Sequence, residues 1–150
     1  MLKAAQDRLL DFTERHAHEI AASWWKAVST NQHTKSYHSL SEKQCLPQAV
    51  TFYKNLRPIY ESEKPYEAGL DYYIKNARER YQEGIPLEEA IYAIVLMRRQ
   101  MWLYAEFQAL FASALDMQQA IESINRTVLI TDYAIHILAE EYFKLSCKVS

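Results

Sequence analysis

The scarcity of glycine restricts the fold of this chain more than any other feature of its sequence. Only two glycines and four prolines occur among 150 residues. An all-β protein needs turn residues at nearly every change of strand direction, roughly every 8–12 residues. A glycine-rich loop that holds phosphate through its backbone is excluded for the same reason. The sequence therefore predicts an all-α protein, and its length suits a single domain.

Composition and charge narrow the classes of partner. The chain carries 17 basic and 19 acidic residues, a net charge of -2 and a pI of about 6.2. A nucleic-acid partner is not expected, because such proteins concentrate basic residues on one surface. The strongly apolar run from Ala90 to Met97 is much shorter than the roughly 18 residues of a membrane span. Two cysteines without motif spacing and a start that does not resemble a signal peptide indicate a cytoplasmic protein.

Apolar periodicity and helix-ending residues predict five or six helices. Ser41 and Gln44 resemble a capping box, although Pro47 leaves open a later start of the second helix. Pro58 should end or kink that helix, and Gly84 should end the third in a left-handed conformation. The expected helices cover residues 2–29, the segment from 41 or 47 to about 57, 65–83, 86–114 and, capped by Asp116, 117–145. We expect a single-domain bundle, with a globin-like arrangement as one option, that ends in a long antiparallel helix pair.

The two C-terminal helices carry regular apolar stripes. Spacings of three and four along the last helix predict a heptad seam that packs on another helix at a shallow angle. Its members are Ile121, Ile124, Val128, Thr131, Ile135, Leu138, Tyr142 and Leu145. The fourth helix is apolar on a second side as well, which is typical of a central or interfacial helix. This second stripe predicts a homodimer interface formed by Tyr92, Leu96, Leu103, Phe107 and Leu110.

Arg98 lies in the middle of the main apolar face of the fourth helix. An unpaired buried charge costs several kcal/mol, so Arg98 should have an acidic partner, either Asp132 or Glu122 on the last helix. A structural ion pair is the favoured interpretation. The alternative is that Arg98 binds an anion or a partner carboxylate. In that case it would line a ligand-binding or partner-binding site together with His16, Trp24 and Trp102.

Metal and catalytic motifs are weak in this sequence. No Glu-x-x-His pair of the di-iron kind occurs, and the third helix has no histidine to hold haem. Asp132, His136 and Glu140 share one helical stripe, for which an ion-paired surface is a better interpretation than zinc. Spacing reveals no catalytic nucleophile with a base. We therefore predict a protein that is not an enzyme and has neither a metal nor a cofactor.

Two stretches resemble a known family. They are ERHAHEIAASWWKAV, with His16, Ile20 and Trp24, and EGIPLEEAIYAIVLMRR, with the turn at Gly84 and a later arginine at Arg98. Together they resemble the amino-terminal domain of RsbRD-type co-antagonists of the RsbT kinase, the stressosome regulators. The likeness covers roughly residues 8 to 143.

The resemblance implies a helical, dimeric input domain, described as globin-like without haem, that passes a signal to an output domain. After Tyr142 only FKLSCKVS follows. We therefore expect either a stand-alone domain that acts through a partner protein or a piece of a longer protein.

Overall fold

The computed structural model describes residues 2–107 and 114–149. Within these residues the regular structure is entirely helical, which confirms the all-α bundle. A short 3-10 helix covers Lys35–Tyr37. The α-helices are α1 (Leu2–Arg15), α2 (Ala17–Val28), α3 (Glu42–Lys54), α4 (Leu56–Glu61), α5 (Pro65–Gln82), α6 (Leu87–Phe107) and α7 (Ala114–Val149).

The first predicted helix is divided at His16, so the expectation of one helix over residues 2–29 is wrong. His16 has φ -107° and ψ 21°, outside the helical range. Its N–H still donates to the Phe12 carbonyl at 3.0 Å, and its carbonyl still accepts from Ile20 at 2.9 Å. The inward face therefore continues across the break. Apolar periodicity could not reveal the break because the same face remains buried on both sides of it.

The second predicted helix begins at its capping box. Gln44 N–H donates to Ser41 Oγ at 3.2 Å, and Ser41 N–H donates to Gln44 Oε1 at 2.8 Å. The helix passes through Pro47, so the alternative start at that residue is wrong. The break occurs at Asn55 and leaves Pro58 in the first turn of α4. The ring of a proline crowds the carbonyl four residues earlier, which explains why α3 ends at Lys54.

Gly84 ends α5 as predicted. Its φ of 77° is left-handed, a region that glycine enters without steric cost. Gly84 N–H donates to the Tyr81 carbonyl at 3.0 Å, and Ile85 N–H donates to the Arg80 carbonyl at 3.1 Å. This pair of bonds is a Schellman motif, which satisfies two carbonyls at the helix end.

Helix α6 is held by aromatic side chains from three other elements. Buried tyrosine and tryptophan need a partner for their polar atom, and here that partner is the backbone of α6 or of Ile85, two residues before it. The bonds run from Trp24 Nε1 to Ala93 O at 3.0 Å, from Tyr53 Oη to Met97 O at 2.7 Å, and from Tyr142 Oη to Ile85 O at 2.8 Å. They link α2, α3 and α7 to α6, the central helix of the core.

The long C-terminal pair is present. Arg98 of α6 bonds to Thr131 of α7, and Ile94 and Met97 line the same small cavity as Ala134. Earlier residues of α6 therefore lie beside later residues of α7, so the two helices run antiparallel. Asp116 lies inside α7, so its prediction as the capping residue is wrong. The predicted end of the fourth helix, at about residue 114, depends on residues 108–113, which lie outside the described residues. Of the described helices, none combines the length and apolarity that crossing a bilayer requires.

Candidate functional site

Arg98 is paired with the acid that the sequence suggested. Its Nη1 donates to Thr131 Oγ1 at 2.8 Å and lies 3.5 Å from Asp132 Oδ1. The side chain of Arg98 is 24% exposed and that of Asp132 is 60% exposed, so the pair lies at the edge of the core. Glu122, the other candidate, is exposed and is not the partner. An exposed pair of this kind contributes little to stability.

The other predicted site residues contact separate neighbours. Trp24 is fully buried and bonded to α6, while Trp102 is half-buried against the core. The His16 ring packs at a tilt against Phe12 and Tyr104, with ring centroids 4.5 Å and 5.5 Å away. None of these three, nor Arg98, lines the cleft between α3 and α5. Their common role in binding remains a prediction.

His16 belongs to a small polar cluster with Glu19 and Tyr104. Tyr104 Oη donates to Glu19 Oε2, and His16 Nδ1 lies 3.5 Å from Glu19 Oε1. The hydrogen bond from Tyr104 lowers the pKa of Glu19 because it stabilises the carboxylate. The Tyr104 hydroxyl and the Glu19 carboxylate are partners of each other, whereas His16 Nδ1 is buried without a hydrogen-bond partner. The cluster connects α2 to α6.

The Asp132, His136 and Glu140 stripe forms ion pairs. Glu140 lies 3.4 Å from His136 Nε2 and 3.3 Å from Lys144 Nζ, while Asp132 pairs with Arg98. Across the described residues, no group of three histidine, cysteine or acidic side chains is arranged to hold a metal ion.

The first half of α7 buries a different face from the predicted seam. Ile121 is 57% exposed and Ile124 is 38% exposed, and Val128 is half-buried. The predicted seam is correct in the second half, where Leu138 and Tyr142 are buried. We call Ile121, Ile124 and Val128 the exposed seam.

Polar side chains occupy the buried face in the same half of α7. Gln119, Ser123 and Thr127 are all buried, and they follow one another at spacings of four. Ser123 Oγ has no hydrogen-bond partner, and neither does Thr13 Oγ1 on α1, a helix that packs against α7. A buried polar group without a partner costs roughly 1–3 kcal/mol. The first half of α7 is therefore packed with its less apolar side inward.

The predicted dimer interface is divided between the core and the surface. Leu96 is 2% exposed and belongs to the core of its own chain, so it is a wrong choice for a surface interface. Leu103 is 48% exposed, and Tyr92 is half-buried. The side chain of Phe107, and Leu110 entirely, lie outside the described residues. Leu103 and the exposed seam belong to the ends of α6 and α7 nearest to residues 108–113.

Arg80 is a buried charge that the sequence analysis missed. It is 5% exposed and donates to Asn76 at 2.9 Å, to Glu79 at 3.3 Å and to Glu83 at 2.8 Å and 3.2 Å. The available signal was local, since the three partners lie one, three and four residues away, in α5 or directly after it. Arg80 lines the cleft between α3 and α5.

Comparison of the chain with protein-family models, with curated proteins and with solved structures finds no match. The resemblance to RsbRD-type amino-terminal domains, and with it the globin-like arrangement, therefore remains a prediction.

Proposed function

We propose that the chain is a non-catalytic, cytoplasmic regulatory domain that works by protein–protein contact, first of all with a second copy of itself. The observation that carries this proposal is the inverted polarity of the first half of α7. Apolar side chains of the exposed seam face outward there, and polar ones face inward. The likeness to a family of dimeric input domains supports the same function.

Association of two copies would cover the exposed seam. Seams with spacings of three and four pack well on a like helix at a shallow angle. Covering partly exposed isoleucines contributes roughly 1–2 kcal/mol each, by the usual relation between buried apolar area and free energy. Leu103 on α6 adds a further exposed apolar side chain near the same end.

The same seam offers a route for a signal. The buried face and the exposed seam differ by one residue in register, which is about 100° of rotation around the helix. Packed helices settle in discrete alternative arrangements, and a rotation of the first half of α7 by about 100° would exchange the two faces. The unpartnered hydroxyls of Ser123 and Thr13 raise the free energy of the present packing. They therefore reduce the difference in free energy between this packing and the rotated one.

Sedimentation-velocity ultracentrifugation over a wide dilution series tests the proposal. The native chain should associate, and a double Ile121→Lys, Ile124→Lys variant should be monomeric at concentrations where the native chain is not. Leu129→Lys is the control, because Leu129 is 38% exposed like Ile124 but points about 140° away from Ile124 and about 80° away from Ile121. Far-ultraviolet circular dichroism should show that all three proteins are equally helical. A native chain that stays monomeric throughout would refute the proposal.

A further inference from the structure

A polar cleft of about 540 Å³ separates α3 from α5. Its volume lies within the range of small-molecule sites, roughly 300–1,000 Å³. Residues spaced by three or four share one face of a helix, so each of the two helices turns a single polar face toward the cleft. The lining includes Gln48 and Thr51 of α3, with Asn55 just after it, and Tyr72 and Arg80 of α5, with Glu83 just after it.

The charges in the cleft cancel one another. Arg80 and Lys75 are balanced by Glu79 and Glu83, and the guanidinium of Arg80 is already held by both carboxylates. An anionic ligand would have to displace those carboxylates from a buried arginine. A cationic ligand would meet acids that already have a partner. The cleft therefore suits an uncharged ligand.

Two buried polar atoms on residues in or next to the cleft lining have no hydrogen-bond partner from the protein. They are Tyr73 Oη, in a side chain that is 97% buried, and Gln48 Oε1. Both residues line a small cavity of about 10 Å³ whose lining shares Gln48, Tyr72 and Asn76 with the cleft. A cavity of that size holds about one oxygen atom of the kind found in water or a hydroxyl group.

One of the two atoms needs a hydrogen-bond acceptor and the other needs a donor. Burial raises the pKa of Tyr73, so its hydroxyl stays protonated and can donate. Gln48 Oε1 can only accept, because it is a carbonyl oxygen. An atom that accepts from Tyr73 and donates to Gln48 satisfies both, and a hydroxyl group does this with a single oxygen.

We propose that the cleft between α3 and α5 binds a neutral polyhydroxylated molecule of monosaccharide size, with one hydroxyl inserted between Tyr73 and Gln48. The remaining hydroxyls meet the amide and hydroxyl side chains of the walls, such as Thr51 and Asn55. The half-buried ring of Tyr72 provides an apolar surface for the C–H face of the ligand. This site is separate from the exposed seam of α7 and does not depend on association of the chain.

Saturation-transfer difference NMR and titration calorimetry on the intact chain test this proposal. The neutral probes are myo-inositol and D-glucose, and the charged counterparts are D-glucuronate and D-glucosamine. We expect saturation transfer to the neutral probes and weaker binding of the charged ones. Absence of transfer to both neutral probes, or tighter binding of a charged probe, overturns the proposal.

Two variants locate the site. Tyr73→Phe removes the buried donor with almost no change in shape and should weaken binding about tenfold, the loss expected for one well-formed hydrogen bond in a dry site. Thr51→Trp changes an exposed residue and should abolish binding by filling the cleft. Tyr133→Phe, outside the cleft, should bind as the native chain does. Native-like binding by both cleft variants would show that the probe binds elsewhere and would overturn the proposal.

Discussion

Removal of one hydroxyl from the core should have opposite consequences at Tyr53 and at Tyr73. The two side chains are buried to almost the same degree, 0% and 3% exposed. Tyr53 Oη donates to the Met97 carbonyl at 2.7 Å, whereas Tyr73 Oη has no partner within the protein. Tyr53→Phe and Tyr73→Phe therefore delete the same atom from similar surroundings and differ in one hydrogen bond.

The magnitudes follow from those contacts. Met97 lies inside α6, so its carbonyl keeps its helical hydrogen bond when Tyr53 is changed, and no buried acceptor is left unsatisfied. Tyr53→Phe should then lower the free energy of unfolding by about 1 kcal/mol, the usual net value of one neutral hydrogen bond. Tyr73→Phe should leave that free energy unchanged or raise it by about 1 kcal/mol, because it removes a buried polar atom without a partner.

Urea denaturation followed by circular dichroism and tryptophan fluorescence measures both changes. The slope of the unfolding free energy against urea concentration should be the same in both variants and the native chain, so the midpoint of the transition reports the change in stability. In thermal unfolding the melting temperature should change by about 2–4 °C for each kcal/mol in a chain of this size. Equal losses for the two variants would refute the reasoning, because the bond to Met97 would then carry no specific stabilisation.

Three further predictions concern other parts of the molecule. Gly69→Ala should lower the free energy of unfolding in urea by about 1–2 kcal/mol, because the added Cβ would lie 2.6 Å from a ring carbon of Tyr73. This overpacking outweighs the gain in helix propensity, and an increase in stability would contradict the prediction. Arg98→Met should cost less than about 1 kcal/mol, and a loss above about 3 kcal/mol would indicate a buried pair instead. Iodoacetamide at pH 8 should label the exposed Cys147 and spare Cys45. Burial raises the pKa of Cys45 to about 11, which leaves about one thiolate in a thousand at that pH. Peptide mass spectrometry measures the labelling, and equal labelling of the two cysteines in the folded chain would contradict the prediction.

Several helix ends could be predicted because their causes are local. The capping box of Ser41 and Gln44, the proline that opens α5 and the left-handed Gly84 act within a few residues of the backbone they affect. The Arg98–Asp132 pair was also accessible, since only two acids on the last helix were suitable partners. Breaks at His16 and Asn55 were harder to locate. At His16 the same face stays buried on both sides, and at Asn55 the break falls three residues before the proline that causes it.

The candidate sites could not be predicted to the same extent. The cleft depends on Gln48 and Tyr73, which belong to different helices and carry no motif. Their convergence depends on how α3, α4 and α5 are placed in space. Arg80 had a local signal in its neighbouring acids, but nothing in the sequence distinguished it from the exposed arginines.

The sequence by itself determined the helical class, the absence of a glycine-rich phosphate loop and several of the helix boundaries. These follow from the conformational limits of glycine and proline and from hydrogen bonds between near neighbours. Only the tertiary structure decided which side of α7 faces inward. Periodicity favours the more apolar side, yet α7 packs against α1, α5 and α6 at once, and its orientation depends on all of these contacts together. Ile121 and Ile124 are therefore left at the surface while Ser123 and Thr127 are buried.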